Sequence, residues 1–245
     1  VIGSGFGAVI NEQYHSSYLV DNYNEFVLTT SERQFIDSLD VMNVLIDDDF
    51  NPLSFYDAEE MSYKGASVQL FEQIFSLIGV KYNYVYDKNL KWIDKLDSIR
   101  NGDSDIVFPV SVTEKRKVLG YFTESYYSAY YTLISKNSNK VYVSSIYELL
   151  HEKIGVVRGT SINEYLEQKL IYSNIIHFDS DKEMYNALRN NVIKYIVQNE
   201  GVFQEDYFEK DLLDFVSIYR IIESPQNYCY FTTQSNEMMK LIPII

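Results

Sequence analysis

Short apolar runs alternate with stretches of helical spacing along this chain, and they do so in two successive series. Val44-Leu45-Ile46 is a compact apolar run. From Ser67 to Ile78, the residues Val68, Phe71, Ile74, Phe75 and Ile78 recur at the spacing of one helix face, and Gly79 stops them. Lys81 to Tyr86 alternates like a strand. Trp92, Leu96 and Ile99 mark the inner face of a second helix that ends at Gly102, and the apolar run Asp105 to Val110 follows. Strand–helix–strand–helix–strand is the pattern of a parallel sheet with right-handed crossovers.

The second series begins with an extended run from Tyr130 to Ser135. Helices are predicted at Ser145 to Leu150, Ser161 to Leu170 and Lys182 to Asn190. Strands are predicted at Ile154 to Val157, Ile175 to Phe178 and Tyr195 to Val197. Tyr56 to Gly65 reads as a polar hairpin, Tyr228 to Thr232 as a return strand, and Asn236 onward as a last helix. Two such units joined by extended crossings predict two lobes with a cleft between them, and hinges of a few residues that let them close. At 245 residues the chain suffices for two lobes of about 100 to 120 residues each. The boundaries fall at 41–130 together with 223–245 for lobe 1, and 131–222 for lobe 2.

Charge and composition exclude several classes. With 21 basic against 35 acidic residues, the formal net charge is −14. That argues against nucleic acid and against anionic lipid surfaces, both of which need basic patches. The single cysteine, Cys229, excludes an internal disulfide and a cysteine-based zinc cluster. The histidines are scattered as His15, His151 and His177, so no metal site and no cofactor is expected. No apolar run approaches the roughly 20 residues of a membrane helix. The 23 tyrosines pair an apolar face with a polar tip and suit the walls of a cleft.

Two segments carry binding chemistry. Ser111-Val112-Thr113-Glu114-Lys115-Arg116 follows directly on the Asp105–Val110 run. It sets hydroxyls and one arginine at the carboxyl end of a strand, where open α/β sheets bind ligands. A guanidinium there is a planar fork that can hold a carboxylate by two parallel hydrogen bonds. Gly159-Thr160-Ser161 opens a helix in the second series. Its free N–H groups and hydroxyls, with the positive end of the helix dipole, form a second place for an anion.

Together with Asp47-Asp48-Asp49-Phe50-Asn51-Pro52-Leu53 and Lys64-Gly65, these segments resemble family 3 of the extracellular solute-binding proteins, over roughly Val41 to Ile245. The resemblance implies an α/β, two-lobed type II periplasmic-binding fold with two extended hinge crossings. It implies that Asp47 reaches a ligand amino group and Phe50 covers the ligand side chain. Ser111, Thr113 and Arg116 would grip a ligand carboxylate, with Gly159, Thr160 and Ser161 completing the grip from the opposite lobe. The sequence departs from the family in two places. Ser67 and Gln69 stand where acidic residues often follow the glycine, and Asn199 stands where many members place an aspartate against the ligand ammonium. A neutral amide supplies no full charge, so Asp47 or Glu200 would have to compensate, or the ligand is not a standard α-amino acid.

The first 40 residues resemble something other than the start of a transport receptor. Ala8 to Tyr14 resembles the closing helix of a preceding module of the same type. Leu28 to Phe35 resembles the linker that precedes such domains in membrane sensors, with Ser31 and Gln34 as a capping box. The expectation is therefore a piece of a longer, membrane-anchored protein: an extracytoplasmic sensor module of a histidine kinase or cyclic-dinucleotide enzyme, possibly dimeric or tandem. The partner is a small, carboxylate-bearing solute. The alternatives are the binding component of an amino-acid transporter and a degenerate module that binds a partner protein. Catalysis is not expected, because no serine–histidine–acid set, phosphate loop or metal spacing is visible.

Overall fold

The computed structural model describes residues 27–149, 151–170 and 174–245. The proposed helix at Ala8–Tyr14 lies outside them. The chain divides after Leu39 into two compact units. In the first, helix α1 (Thr30–Asp37) starts from a capping box, but with other residues than expected. Thr29 is the N-cap: its hydroxyl accepts from Glu32 N at 3.2 Å, and the Glu32 carboxylate accepts from Thr29 N at 2.7 Å. The box sits two residues earlier than Ser31/Gln34 because Thr29, not Ser31, has the extended backbone an N-cap requires.

In the second unit, Asp40–Ile245, the elements follow in the order anticipated. Strand β1 (Met42–Ile46) leads to a small antiparallel sheet of β2 (Asp49–Phe50), β3 (Ser54–Asp57) and β4 (Ser62–Lys64). Helix α2 (Ala66–Ile78) ends at Gly79, whose positive φ of 84° provides the left-handed cap. Then come β5 (Tyr82–Tyr84), α3 (Trp92–Asn101), β6 (Ile106–Ser111), the single turn α4 (Glu114–Lys117) and β7 (Tyr121–Phe122). Strand β8 (Tyr127–Lys136) leaves this first lobe. The second lobe holds β9 (Lys153–Val157), α5 (Ser161–Lys169), β10 (Asn174–Phe178), α6 (Asp181–Arg189), β11 (Tyr195–Asn199) and α7 (Glu200–Glu209). The long strand β12 (Phe215–Thr232) returns, and α8 (Asn236–Leu241) follows. At Ser145–Leu150, where a helix was predicted, the described residues form only a short 3-10 turn, Ile146–Leu149.

One sheet runs through both lobes in the order β10-β9-β11-β8-β12-β6-β1-β5, with β7 also on β12. The pairs β1–β5, β1–β6, β9–β10 and β9–β11 are parallel, as the two repeated series require. The two crossing strands, β8 and β12, pair antiparallel. Their register breaks twice: Ile218 is an extra residue between the Ser217–Ile134 and Tyr219–Leu133 pairs, and in mid-course Ile221 faces Tyr131 and Gln226 faces Ala129, so Ile222–Pro225 bulges opposite Tyr130 alone. A further break, in the pairing of β12 with β6, lies where Cys229 faces Val110 and Phe231 faces Val107. There Phe108 and Pro109 together oppose Tyr230, which accommodates a proline that has no N–H to give.

Each lobe has its own core. In the first, Phe71 packs its ring on Phe75, Phe108 and Tyr230, with centroids 3.9, 4.8 and 5.5 Å away. In the second, one cluster around Leu133, Ile154, Val156 and Leu166 lies on one side of the sheet strands, and another around Met184, Leu188, Ile196 and Phe215 includes α6. Gly65 joins the small sheet to α2 with φ 120°, and a Cβ there would lie 2.3 Å from Leu53 O. Replacing Gly65 with Ala is therefore expected to cost about 2 kcal/mol or more, read as a lower urea midpoint at unchanged slope.

Candidate functional site

A cavity of about 380 Å³ opens between the lobes, at the carboxyl ends of β1, β6, β9 and β10. This is where an open α/β sheet leaves strand-end loops free to face a solute. Of the residues singled out in the sequence, Asp47, Phe50, Ser111, Arg116, Thr160 and Ser161 line it. Thr113, Gly159 and Asn199 are not on its wall; each holds a wall residue or an element end in place. The Thr113 hydroxyl caps α4 by accepting from Arg116 N at 3.2 Å. The Gly159 carbonyl accepts from Arg116 Nη2 at 2.7 Å and from Trp92 Nε1 at 3.2 Å. The Asn199 Oδ1 accepts from Gly201 N and Val202 N as the N-cap of α7, and its Nδ2 donates to the Tyr228 hydroxyl at 3.0 Å.

The Asp47–Phe50 loop is fixed from beneath. Lys95 on α3, only 2% exposed, donates to Ile46 O at 2.8 Å and to Asp48 Oδ1 at 2.6 Å. Ser54 donates to Asp47 O at 2.6 Å. Burying an ammonium demands such full pairing, so the loop's path is closely set by a single lysine. Phe50 leans on Tyr228 with ring centroids 5.3 Å apart.

Arg116 is 3% exposed and crosses the cleft. Its Nη1 donates to Ser111 O at 2.9 Å in its own lobe, and its Nη2 reaches Gly159 O in the other. Its Nε lies 3.3 Å from Glu164 Oε1 on α5, close enough for an ion pair but not aligned as a hydrogen bond. Burial lowers the guanidinium pKa from its ordinary value, and Glu164 works against that. Further contacts bridge the lobes: Ser161 donates to Ser111 Oγ at 3.1 Å, Lys91 pairs with Asp179 at 2.6 Å, and Lys210 with Asp49 at 2.9 Å. The two lobes are thus closed on each other.

Tyr131, from the Tyr126–Tyr131 stretch that suits an aromatic wall, lies on the cavity wall; sequence reasoning passed over Trp92, Gln198, Tyr228 and Asp181 as wall residues. Asp181 is the first residue of α6, behind the Ser180 N-cap, and looks in the sequence like an ordinary first-turn acid. Burial among Asp49 and Asp206 pushes its carboxyl up to about 7, against the opposing pull of Lys210 and a hydrogen bond with Gln198. Asp47 is pushed up to about 6, chiefly by burial, with Lys95 opposing. Among the described residues, no group of three or more histidine, cysteine or acidic side chains is arranged to hold a metal.

The profile of bacterial extracellular solute-binding proteins, family 3, matches residues 42–241. The chain belongs to that family. Among curated family relatives, the L-cystine-binding protein of Escherichia coli (strain K12) is 26% identical over 141 residues, 57% of this chain and 52% of that protein. The match thus spans about half of the relative's length. A histidine kinase sensor domain with similarity to periplasmic binding proteins superposes with a TM-score of 0.75 at 20% identity, covering 84% of this chain and 87% of the other. An ancestral arginine-binding protein bound to arginine gives 0.71 at 20% identity, over 83% and 90%. The arginine-binding protein of T. maritima gives 0.72 at 19%, over 86% and 89%. These likenesses establish the two-lobed family 3 fold for Asp40–Ile245.

Two outcomes follow from the site. Breaking the buried pair by Glu164→Gln leaves Arg116 without its counter-charge and should cost about 3 kcal/mol in denaturant unfolding. The raised carboxyls of Asp47 and Asp181 favour the protonated native state. Their stabilising contribution is full below about pH 4 and is lost as pH rises toward 6 and 7. The ligand-free Tm contributed by these groups should therefore fall between pH 5 and pH 7.5, and Asp181→Asn should flatten that slope.

Proposed function

We propose that this domain binds a small, amino-acid-like solute by closing its two lobes, and that it does so outside the cytoplasm as the sensing part of a membrane signalling protein. The observation that carries the reading is the position of Arg116. It stands on α4, just beyond the carboxyl end of β6, lines the cavity, and reaches across to the turn that opens α5. A guanidinium has five N–H groups; three face oxygens of the chain, and one on each Nη is left to meet a solute. Phe50, Trp92, Tyr131 and Tyr228 give the cavity an aromatic lining suited to a compact organic solute.

Asp47, Phe50, Ser111, Arg116, Thr160 and Ser161 are the proposed contacts, while Thr113, Gly159 and Asn199 are proposed to act by holding them. Hinge points near 130/131 and 222/223 agree with the Ile222–Pro225 bulge opposite Tyr130. The sensing role is supported by the likeness to a histidine kinase sensor domain, and the amino-acid character by relatives whose names specify cystine and arginine. Closure shifts a population: a solute that touches both lobes favours the closed form by its differential affinity.

A thermal-shift screen against the twenty amino acids and small carboxylates tests the reading. A solute at a hundredfold over its Kd adds about 2.7 kcal/mol, or roughly 5–10 °C in Tm for a domain of this size. A rise that is lost when Phe50 or Ser161 is changed to a bulky charged residue is the expected result. A flat response across the whole panel would count against solute binding.

A further inference from the structure

The electrostatics of the cavity run opposite to those of a carboxylate receptor. Arg116 is the buried cation of the site, and its charge is already answered from within the chain. Glu164 lies 3.3 Å from its Nε, while Ser111 O and Gly159 O take one N–H from each of the other two nitrogens. Glu164 is itself largely buried, with 15% of its side chain exposed, and its Oε2 has no hydrogen-bond partner among the described residues. It therefore remains beside Arg116 as a standing counter-ion.

Six acids line the wall beside Lys88, Lys91 and Arg116; Glu183 accepts from Asp179 N at 3.2 Å, and the other five divide into two groups. Asp48 is paired with Lys95, Asp49 with Lys210, and Asp179 with Lys91. Asp47 and Asp181 have no lysine or arginine within ion-pair distance among the described residues. Among the described residues Asp47 accepts a 3.3 Å hydrogen bond from Asp49 N, and Asp181 meets the amide of Gln198. The two come from opposite lobes, Asp47 from the end of β1 and Asp181 from the start of α6, and both line the same cavity. Around them stand Phe50, Trp92, Tyr131 and Tyr228, whose ring faces attract cations. Two carboxylates with no ion-pair partner of their own among the described residues, feeling Lys95 and Lys210 only from beyond that distance, in an aromatic-walled cavity, are matched by a positive charge on the ligand.

We propose that the ligand is held chiefly by a cationic group, an amine or guanidinium, set between Asp47 and Asp181, and that a carboxylate on it is dispensable. Asp181 thereby supplies from α6 the second-lobe charge that Asn199 lacks, since Asn199 is committed to capping α7 and to Tyr228. The proposal rests on the solute-binding reading and names the chemistry of that same site. It predicts selectivity for amino acids with a basic side chain and for the amines that remain when the carboxylate is removed.

Matched sets of three compounds separate the possibilities: an amino acid, the amine that lacks its carboxylate, and the acid that lacks its amino and other cationic groups. Arginine, agmatine and pentanoate form one set; lysine, cadaverine and hexanoate form another, and the remaining amino acids are run the same way. Tm screening selects sets that bind, and calorimetry then gives Kd for the parent protein and for Asp181→Asn. That variant removes a desolvated charge, so its ligand-free Tm at pH 7.5 should equal or exceed the parent's, and lost binding is not a folding defect. The expected result is a set whose amino acid and amine bind within about tenfold of each other, whose acid does not bind, and whose two affinities fall at least tenfold in Asp181→Asn. Binding of amino acids but of no decarboxylated amine would overturn the cation-first proposal and leave the solute reading standing. Unchanged affinity in Asp181→Asn would overturn the role of that residue. Silence from every set would overturn the solute reading itself.

Discussion

A buried guanidinium ties this molecule together. Arg116 sits on the turn α4, just beyond the end of a fully buried strand, and the chain must answer its charge or lose several kcal/mol. It is answered from both lobes at once, by Ser111 O on one side and by Gly159 O and Glu164 on the other. The turn before α5 is thus fixed relative to the end of β6. That in turn sets Ser161 against Ser111 and Trp92 under Gly159. The shape of the cavity is largely a consequence of where one arginine finds its acceptors.

The loop that faces this arginine depends on a second buried cation. Lys95 holds Ile46 O and Asp48, which leaves the neighbouring Asp47 directed at the cavity with no cation of its own. Two buried basic groups, each neutralised by a dedicated acid, frame a space on whose wall six carboxylates stand against three cations, Lys88, Lys91 and Arg116. Low dielectric sharpens that imbalance, because an unpaired carboxylate is costly there until a cation arrives. The same arrangement lifts the Asp47 and Asp181 carboxyls toward neutral pH.

Much of this was legible in the sequence. The two α/β series announced themselves because buried parallel strands are continuous apolar runs and their covering helices keep a 3.6-residue stripe. The Ser111–Arg116 segment and the Gly159–Ser161 turn were readable because each follows directly on such a strand. Other features left no local mark. Strand β12 covers 18 residues, yet only Tyr228–Thr232 reads as a strand, because its first part is broken by a bulge carrying Pro225 and alternates poorly. Helix α7 buries Val202, Phe203 and Asp206 without a regular apolar stripe. Asn199 offered an amide where a ligand contact was expected, but the same residue type is a preferred N-cap, and the helix behind it claimed it. Asp181 was hidden for the converse reason: a first-turn acid satisfies the helix dipole so well that its second neighbour, the cavity, is invisible from sequence.

The break in register opposite Tyr130 bears on how the lobes can move. Strand β8 passes between the lobes without interruption, whereas β12 sets the four residues Ile222–Pro225 against Tyr130 alone, a surplus of three. The second lobe is inserted between these two strands, so it hangs from one taut cord and one slack one. A rotation about such a pair is not symmetric: the taut strand sets the pivot, and the slack strand takes up the change in path length. Arg220, whose guanidinium lies 4.2 Å from the centre of the Tyr130 ring and 2.9 Å from Glu200, clips the slack side onto the taut side at that level. The direction in which the cleft opens is therefore written into the unequal lengths of two neighbouring strands, before any solute enters.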